Sequence, residues 1–346
     1  MGITKRIIGL DLVRFLAALG IIAYHYFFIG VIQGFYSGDV FWSIAFWGEL
    51  GVDIFFILSG FVILFSTESR RSPSGFLQGR LLRIYPSFVI CSAITLLLGM
   101  IMPNTDAGDL IYRWANSLTL CCDIWGVQPL SSIYWTLMVE IKFYLLVAIV
   151  MKLGIWEKYR YQILSFWIYL SLFNTLGPQW NWMKLLFNSN YSGHFAVGII
   201  LYLRYKGEKN KWMPLILGGG IWLIYKNCVS YTQWIRGIFP ELLYSDTDIL
   251  FAVIIMVLMI YLASNLALQG RAFNKIIPFL GSWSYTIYLI HADFGYFIRT
   301  QYYNKLIVWI PGIANVVNEY VIMAAAVLLS FLLSFIVLKI VNCLTK

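Results

Sequence analysis

Residues 14–25 read Arg-Phe-Leu-Ala-Ala-Leu-Gly-Ile-Ile-Ala-Tyr-His, RFLAALGIIAYH, an apolar run closed at each end by an ionisable side chain. The run belongs to a longer apolar stretch, 7–29, about the length a helix needs to cross a bilayer. Eleven helical steps are about three turns, so Arg14 and His25 fall on nearly one face, roughly 16 Å apart along the axis. In hydrocarbon such groups are expensive, and by default they mark a functional site.

Working outward, similar apolar stretches recur near 46–66, 85–102, 134–151, 161–177, 192–203, 213–229, 249–268, 279–297 and 319–341. With 60% hydrophobic and 12% charged residues, the chain is too apolar for a soluble domain whose surface faces water. These features predict an all-α polytopic membrane protein of about ten transmembrane helices, forming one membrane-embedded domain over 1–346. The N-terminal stretch is expected to remain as the first span, since it is long, carries charge and lacks a small-residue cleavage site.

The net charge of +9 is a topology signal. Lys5, Arg6, Arg70, Arg71, Arg80, Arg83, Lys152, Lys158, Arg160, Arg204, Lys206, Lys209, Lys211, Arg271, Lys275, Lys339 and Lys346 fall on one side of the expected spans. Arg113, Lys184, Lys226, Arg236, Arg299 and Lys305 fall on the other. The positive-inside bias then puts both termini in the cytoplasm. Nucleic acid is not expected as a partner; the bilayer is. The five cysteines, Cys91, Cys121, Cys122, Cys228 and Cys343, show no metal-ligand spacing and are read as free thiols, and no metal is expected.

Further ionisable residues fall in the outer layer of the expected bundle. Glu49 and Asp53, at i and i+4 in GELGVDIFFILSGF, share a helix face. Glu140 in YWTLMVEIKFY, His194 in SGHFAVG and His291 in SWSYTIYLIH reach a comparable depth. A histidine titrates near neutrality, and a carboxylate on its other nitrogen fixes its tautomer, so His25 with Asp53 or Glu49 is expected to act as a general-base dyad. Ser59, Ser282 and Ser284 adjoin small residues, which favours packing over nucleophilic roles. The proton acceptor's partner is therefore expected to be a substrate hydroxyl. On the cytoplasmic side, Arg80 and Arg83 lie three apart at the head of a span. Such a pair suits a phosphate as well as a lipid headgroup.

Taken in order, RFLAALGIIAYH, GVDIFFILSGFVI, GRLLRIYP, YWTLMVEIKFY and GSWSYTIYLIH resemble acyltransferase family 3, the ten-helix membrane acyltransferases, over about Gly9 to Ala292. The resemblance implies transfer of an acyl group, most often acetyl from cytoplasmic acetyl-CoA, to a hydroxyl of a cell-surface glycan such as a lipopolysaccharide or its lipid-linked precursor. It also implies a bacterial inner-membrane location. It carries over His25 as the catalytic residue and Glu140 as a matching acidic position, and Asp53 or Glu49 would orient the catalytic ring. Arg14, Arg71, Arg80 and Arg83 would meet the CoA phosphates, and Trp135, Tyr285 and His291 would line the acceptor. Thr136 stands after the tryptophan where many relatives have serine. His25 would take the acceptor's proton directly or carry the acyl group itself. A transporter or polysaccharide-export component using the same residues as a proton relay is the rival reading. No internal repeat favours it.

Overall fold

The computed structural model describes residues 6–69, 72–102, 105–266, 270, 273–303 and 318–344. Among them the secondary structure is helical, without strands, as a bilayer requires of a chain that does not close a barrel. In chain order the helices are α1 (Ile8–Tyr24), α2 (Leu50–Ser69), α3 (Pro73–Ile101), α4 (Ala107–Leu118), α5 (Trp135–Leu153) and α6 (Trp156–Leu176). They continue as α7 (Asn181–Phe187), α8 (Ser192–Tyr205), α9 (Met213–Ile238), α10 (Asp246–Asn265), α11 (Phe273–Phe297) and α12 (Glu319–Leu344). Among the described residues, six helical stretches are long and apolar enough to cross a membrane: Ile8–Ile32, Ser43–Ser69, Pro73–Ile101, Ser132–Leu153, Asp246–Asn265 and Glu319–Leu344.

Local chemistry sets several ends. Ser245 and Asp248 close a capping box at the start of α10, the serine hydroxyl accepting from the Asp248 N–H at 3.2 Å and the carboxylate from the Ser245 N–H at 2.7 Å. After α5 the chain turns at Gly154 with φ +64°, a left-handed position glycine takes without steric penalty.

The chain divides into two compact units, each assembled from three segments. The first comprises Met1–Arg14, Val52–Leu82 and Val139–Pro278, the second Phe15–Gly51, Arg83–Met138 and Phe279–Lys346. In the first unit α8 is the central element, buried at every residue from Ser192 to Leu203. Surrounded by other helices, it has no lipid-facing stripe to keep apolar and can carry polar groups such as His194. It packs against α2 almost backbone to backbone. A methyl at Gly60 would run into the Phe195 carbonyl, and one at Gly198 into that of Ile57, the close approach that small residues permit in membranes. Phe195 also stacks on Phe143 of α5, ring centroids 3.9 Å apart.

In the second unit Ile22, Tyr26, Tyr36, Val40, Ile287, Met323 and Ala326 form a buried core joining the C-terminal part of α1 and the turn after it to α11 and α12. Gly20 of α1 faces Gly48, again at a spacing that a side chain would spoil. Arg299, just after α11, is held by Glu319 at the head of α12 at 2.5 Å.

The apolar stretches read as spans are helical over most of their described residues, with changed extents. α3 begins at Pro73, twelve residues before the expected 85, so Arg80 and Arg83 lie inside the helix and not at its head. Residues 107–118, expected as part of an outer loop, form α4, whose N-terminus is capped by the Asp106 carboxylate accepting from the Gly108 N–H at 2.8 Å. α9 likewise continues to Ile238, nine residues past the expected end. None of the five cysteines forms a disulfide. Burial pushes the Cys122 thiol up from its ordinary value, which keeps it protonated and unreactive. Arg70 and Arg71 lie outside the described residues, as do Lys5, Arg271, Lys305 and Lys346.

Candidate active site

In the second unit the α-helical ladder of α1 gives way at His25 to a π-helical turn, His25–Ile29, a local register change that recurs at functional sites. The His25 carbonyl accepts the N–H of Gly30, five residues on. The imidazole is half-buried. Its Nδ1 lies 3.0 Å from the Tyr296 hydroxyl, and that hydroxyl also lies 3.3 Å from the His25 carbonyl oxygen. The ring of Tyr296 is stacked on Phe35, centroids 4.2 Å apart and planes within 10°.

Beside His25 stands His291 of α11, ring centroids 4.9 Å apart at 73°. Its Nδ1 is 2.8 Å from the Tyr288 carbonyl. A carbonyl only accepts, so Nδ1 carries the proton and Nε2 presents a lone pair. That Nε2 is buried and has no hydrogen-bond partner. An unpaired buried acceptor costs about 1–3 kcal/mol, and in a folded protein such an atom calls for an explanation, a ligand donor being one. The helix is fixed there by the Tyr26 hydroxyl, which donates to the His291 carbonyl at 2.7 Å. The second unit thus holds two imidazoles side by side, one with an unspent acceptor. That arrangement suits the binding and deprotonation of a hydroxyl.

The first unit pairs other predicted residues. Asp53 of α2 accepts from His194 Nε2 of α8 at 2.6 Å, both side chains buried, with Cys228 Sγ 3.8 Å from its second oxygen. Asp53, expected with Glu49 as a carboxylate for His25, has His194 as its partner within the first unit, carried to it by the tight α2–α8 contact. Glu140 accepts from Ser59 at 2.7 Å and from Tyr144, one turn along α5. Arg80, 4% exposed, lies 3.6 Å from Glu140 and donates to Tyr144 and, at 3.4 Å, to Ser66. Two residues assigned to different tasks, a donor-binding arginine and a catalytic acid, thus form one ion pair, the arginine buried and the carboxylate half-buried. Arg14 is half-buried and sits 3.7 Å from Asp11 one turn earlier, whose carboxylate Arg6 also meets at 2.5 Å.

Of the other predicted residues, Glu49 ends the 3-10 turn Ser43–Glu49 and is half-buried in the second unit. Arg83 is exposed and Trp135 half-buried at the head of α5. The Tyr285 hydroxyl donates to the Ile84 carbonyl at 3.2 Å, and its ring is half-buried. Ser282 and Ser284 donate to carbonyls three residues back, at 2.7 and 2.8 Å, the back-bonding expected of packing serines. Residues the sequence reading passed over are Asp11, Tyr144 and Tyr296. The first two had a local signal, standing three and four residues from Arg14 and Glu140 on a helix. Tyr296 had none, because its contact with His25 spans 271 residues.

Comparison with known proteins adds three findings. Residues 7–338 match the family described as "Acyltransferase domain". A protein of Acidianus two-tailed virus, whose name provisionally makes it an acetyltransferase, is 25% identical over 251 residues, 70% of this chain and 72% of that protein. No solved structure matches the chain.

Proposed function

The chain belongs to this acyltransferase family, and from that premise we propose that it is a multi-pass membrane O-acyltransferase moving acetyl from cytoplasmic acetyl-CoA to a hydroxyl of a cell-surface polysaccharide or its lipid-linked precursor. In this reading α6, α8, α9 and α11 join the six long apolar stretches as ten spans. Both termini are cytoplasmic, and the membrane is a bacterial inner membrane. The basic bias between alternate connections supports the orientation.

The observation that carries the reaction is the paired imidazoles, with the unspent Nε2 of His291 next to the ring of His25. His25 takes the proton of the acceptor hydroxyl as its oxygen attacks the thioester carbonyl. The new ester C–O bond forms, the C–S bond breaks, and the departing thiolate of CoA recovers the proton from the imidazolium. A sugar carries neighbouring hydroxyls, and a second O–H of the acceptor supplies the donor that His291 Nε2 lacks. Trp135, Tyr285 and His291 are assigned to the acceptor side of the site.

The donor's phosphates are assigned to arginines of the basic segment that leads into and opens α3, Arg71, Arg80 and Arg83, together with Arg14 on α1. Arg83 is exposed and so reachable by a phosphate from solvent, whereas Arg80 is buried against Glu140. Asp53, Glu49 and Glu140 act as structural companions rather than as a base. The transporter reading is set aside because the family is one of enzymes.

The test is ester-linked acetyl on surface glycan, released by mild base and measured by mass spectrometry, in cells making the parent chain or His25→Ala. The parent is expected to add acetyl groups and the variant to leave the glycan at background. Equal acetylation by both would remove His25 from the chemistry, and none by either, with both inserted in the membrane, would remove the glycan as acceptor.

A further inference from the structure

We infer that Tyr296 is a positioning residue that holds the proton of His25 on Nδ1 and so leaves Nε2 as the basic nitrogen. The inference rests on the reading of His25 as the base, and its chemistry follows from counting protons. The Tyr296 hydroxyl touches two atoms of one residue, Nδ1 of the ring at 3.0 Å and the backbone carbonyl oxygen at 3.3 Å. A carbonyl accepts and never donates, while a phenol has a single proton to give. Both contacts are satisfied together in one way only: the phenol donates to the carbonyl, and Nδ1–H donates to the phenol oxygen. The opposite choice, phenol to Nδ1, forfeits the carbonyl contact and puts the ring proton on Nε2, where it blocks base catalysis.

The surroundings enforce the first arrangement. The π-turn is what makes the His25 carbonyl reachable, since its helical bond runs to Gly30, five residues on, and its second lone pair remains for the phenol. The ring of Tyr296 is clamped flat on Phe35, so the hydroxyl cannot swing away without breaking the stack. Gly30 itself lies under this clamp: a methyl there would press the Tyr296 ring at 3.1 Å as well as the His25 carbonyl. On the other side, the Tyr288 carbonyl fixes the same tautomer on His291. Both imidazoles are thereby set with Nδ1 protonated and Nε2 bare, His25 by a side chain and His291 by backbone.

The test uses the full chain in lipid nanodiscs with 15N-labelled histidine. There are three histidines, and the His25 signals are assigned by their loss in His25→Gln. The parent is expected to show His25 with Nδ1 protonated. Tyr296→Phe, which keeps the stacked ring and removes only the hydroxyl, is expected to move signal to the tautomer protonated at Nε2. It should also lower kcat at least tenfold with KM for acetyl-CoA unchanged. A parent spectrum with His25 protonated at Nε2 overturns the inference by itself, even if the variant fails to fold. So does a Tyr296→Phe protein whose tautomer matches the parent, whatever its activity. The base assignment fails separately, by full activity in His25→Gln, and the spectrum still reports on Tyr296.

Discussion

Asp53 and His194 are hydrogen-bonded to each other in the buried interior of the first unit. Removing one partner leaves the other buried without its hydrogen bond, at about 1–3 kcal/mol. Asp53→Ala and His194→Ala are each expected to lower the unfolding temperature sharply, and the double variant to lose less than the sum. Additive losses in a thermal-unfolding series would mean that the two do not act as a pair. The two arginines of α3 should separate by assay. Arg83→Ala is expected to raise KM for acetyl-CoA about tenfold, or 1.4 kcal/mol, with unchanged unfolding temperature, whereas Arg80→Ala should destabilise the fold by stripping Glu140 of its cation. At this scale the sequence made Arg14, His25, Asp53, Glu140 and His291 visible, because ionisable groups in apolar runs are costly. It did not reveal His194 as a partner of Asp53, since a span reveals depth along its axis and not which neighbouring helix faces it.

The contact between α2 and α8 depends on two glycines whose helices leave no room for a methyl. Gly198→Ala is expected to force the helices apart and disturb the Asp53–His194 bond. Gly218→Ala, in α9 with nothing within 4 Å of the added carbon, should leave the unfolding temperature as it is. Comparable stability of the two variants would contradict the packing account. Most helices were legible from apolar length alone. The early start of α3 was not, because the residues from Pro73 to Arg83 are helical yet too polar to count toward a span, and Pro73 at the first helical position marks the true start. The π-turn at His25 had no sequence signal. It is a feature of the folded packing, where the His25 carbonyl meets both Gly30 and Tyr296.

For the whole chain, the family and the helical membrane architecture were readable from five motifs in order and from the recurrence of apolar stretches. The division into two interleaved units was not, because its boundaries fall inside helices and leave no linker. The orientation makes its own prediction. A fluorescent protein fused after Lys346 should fold and fluoresce in the cytoplasm, and alkaline phosphatase inserted in the connection that carries α4 should be active outside. The reverse pattern would invert the donor and acceptor sides.

The claim on which the rest depends is that the ring of His25 accepts the acceptor's proton. Its most direct measurement is the rate of acetyl transfer from labelled acetyl-CoA to a glycan acceptor, in proteoliposomes, for the parent and for His25→Gln. The account predicts a fall in kcat of about 10²–10⁴-fold, the usual worth of a general base, with KM for acetyl-CoA little changed. A His25→Gln enzyme that turns over within a few-fold of the parent would contradict it.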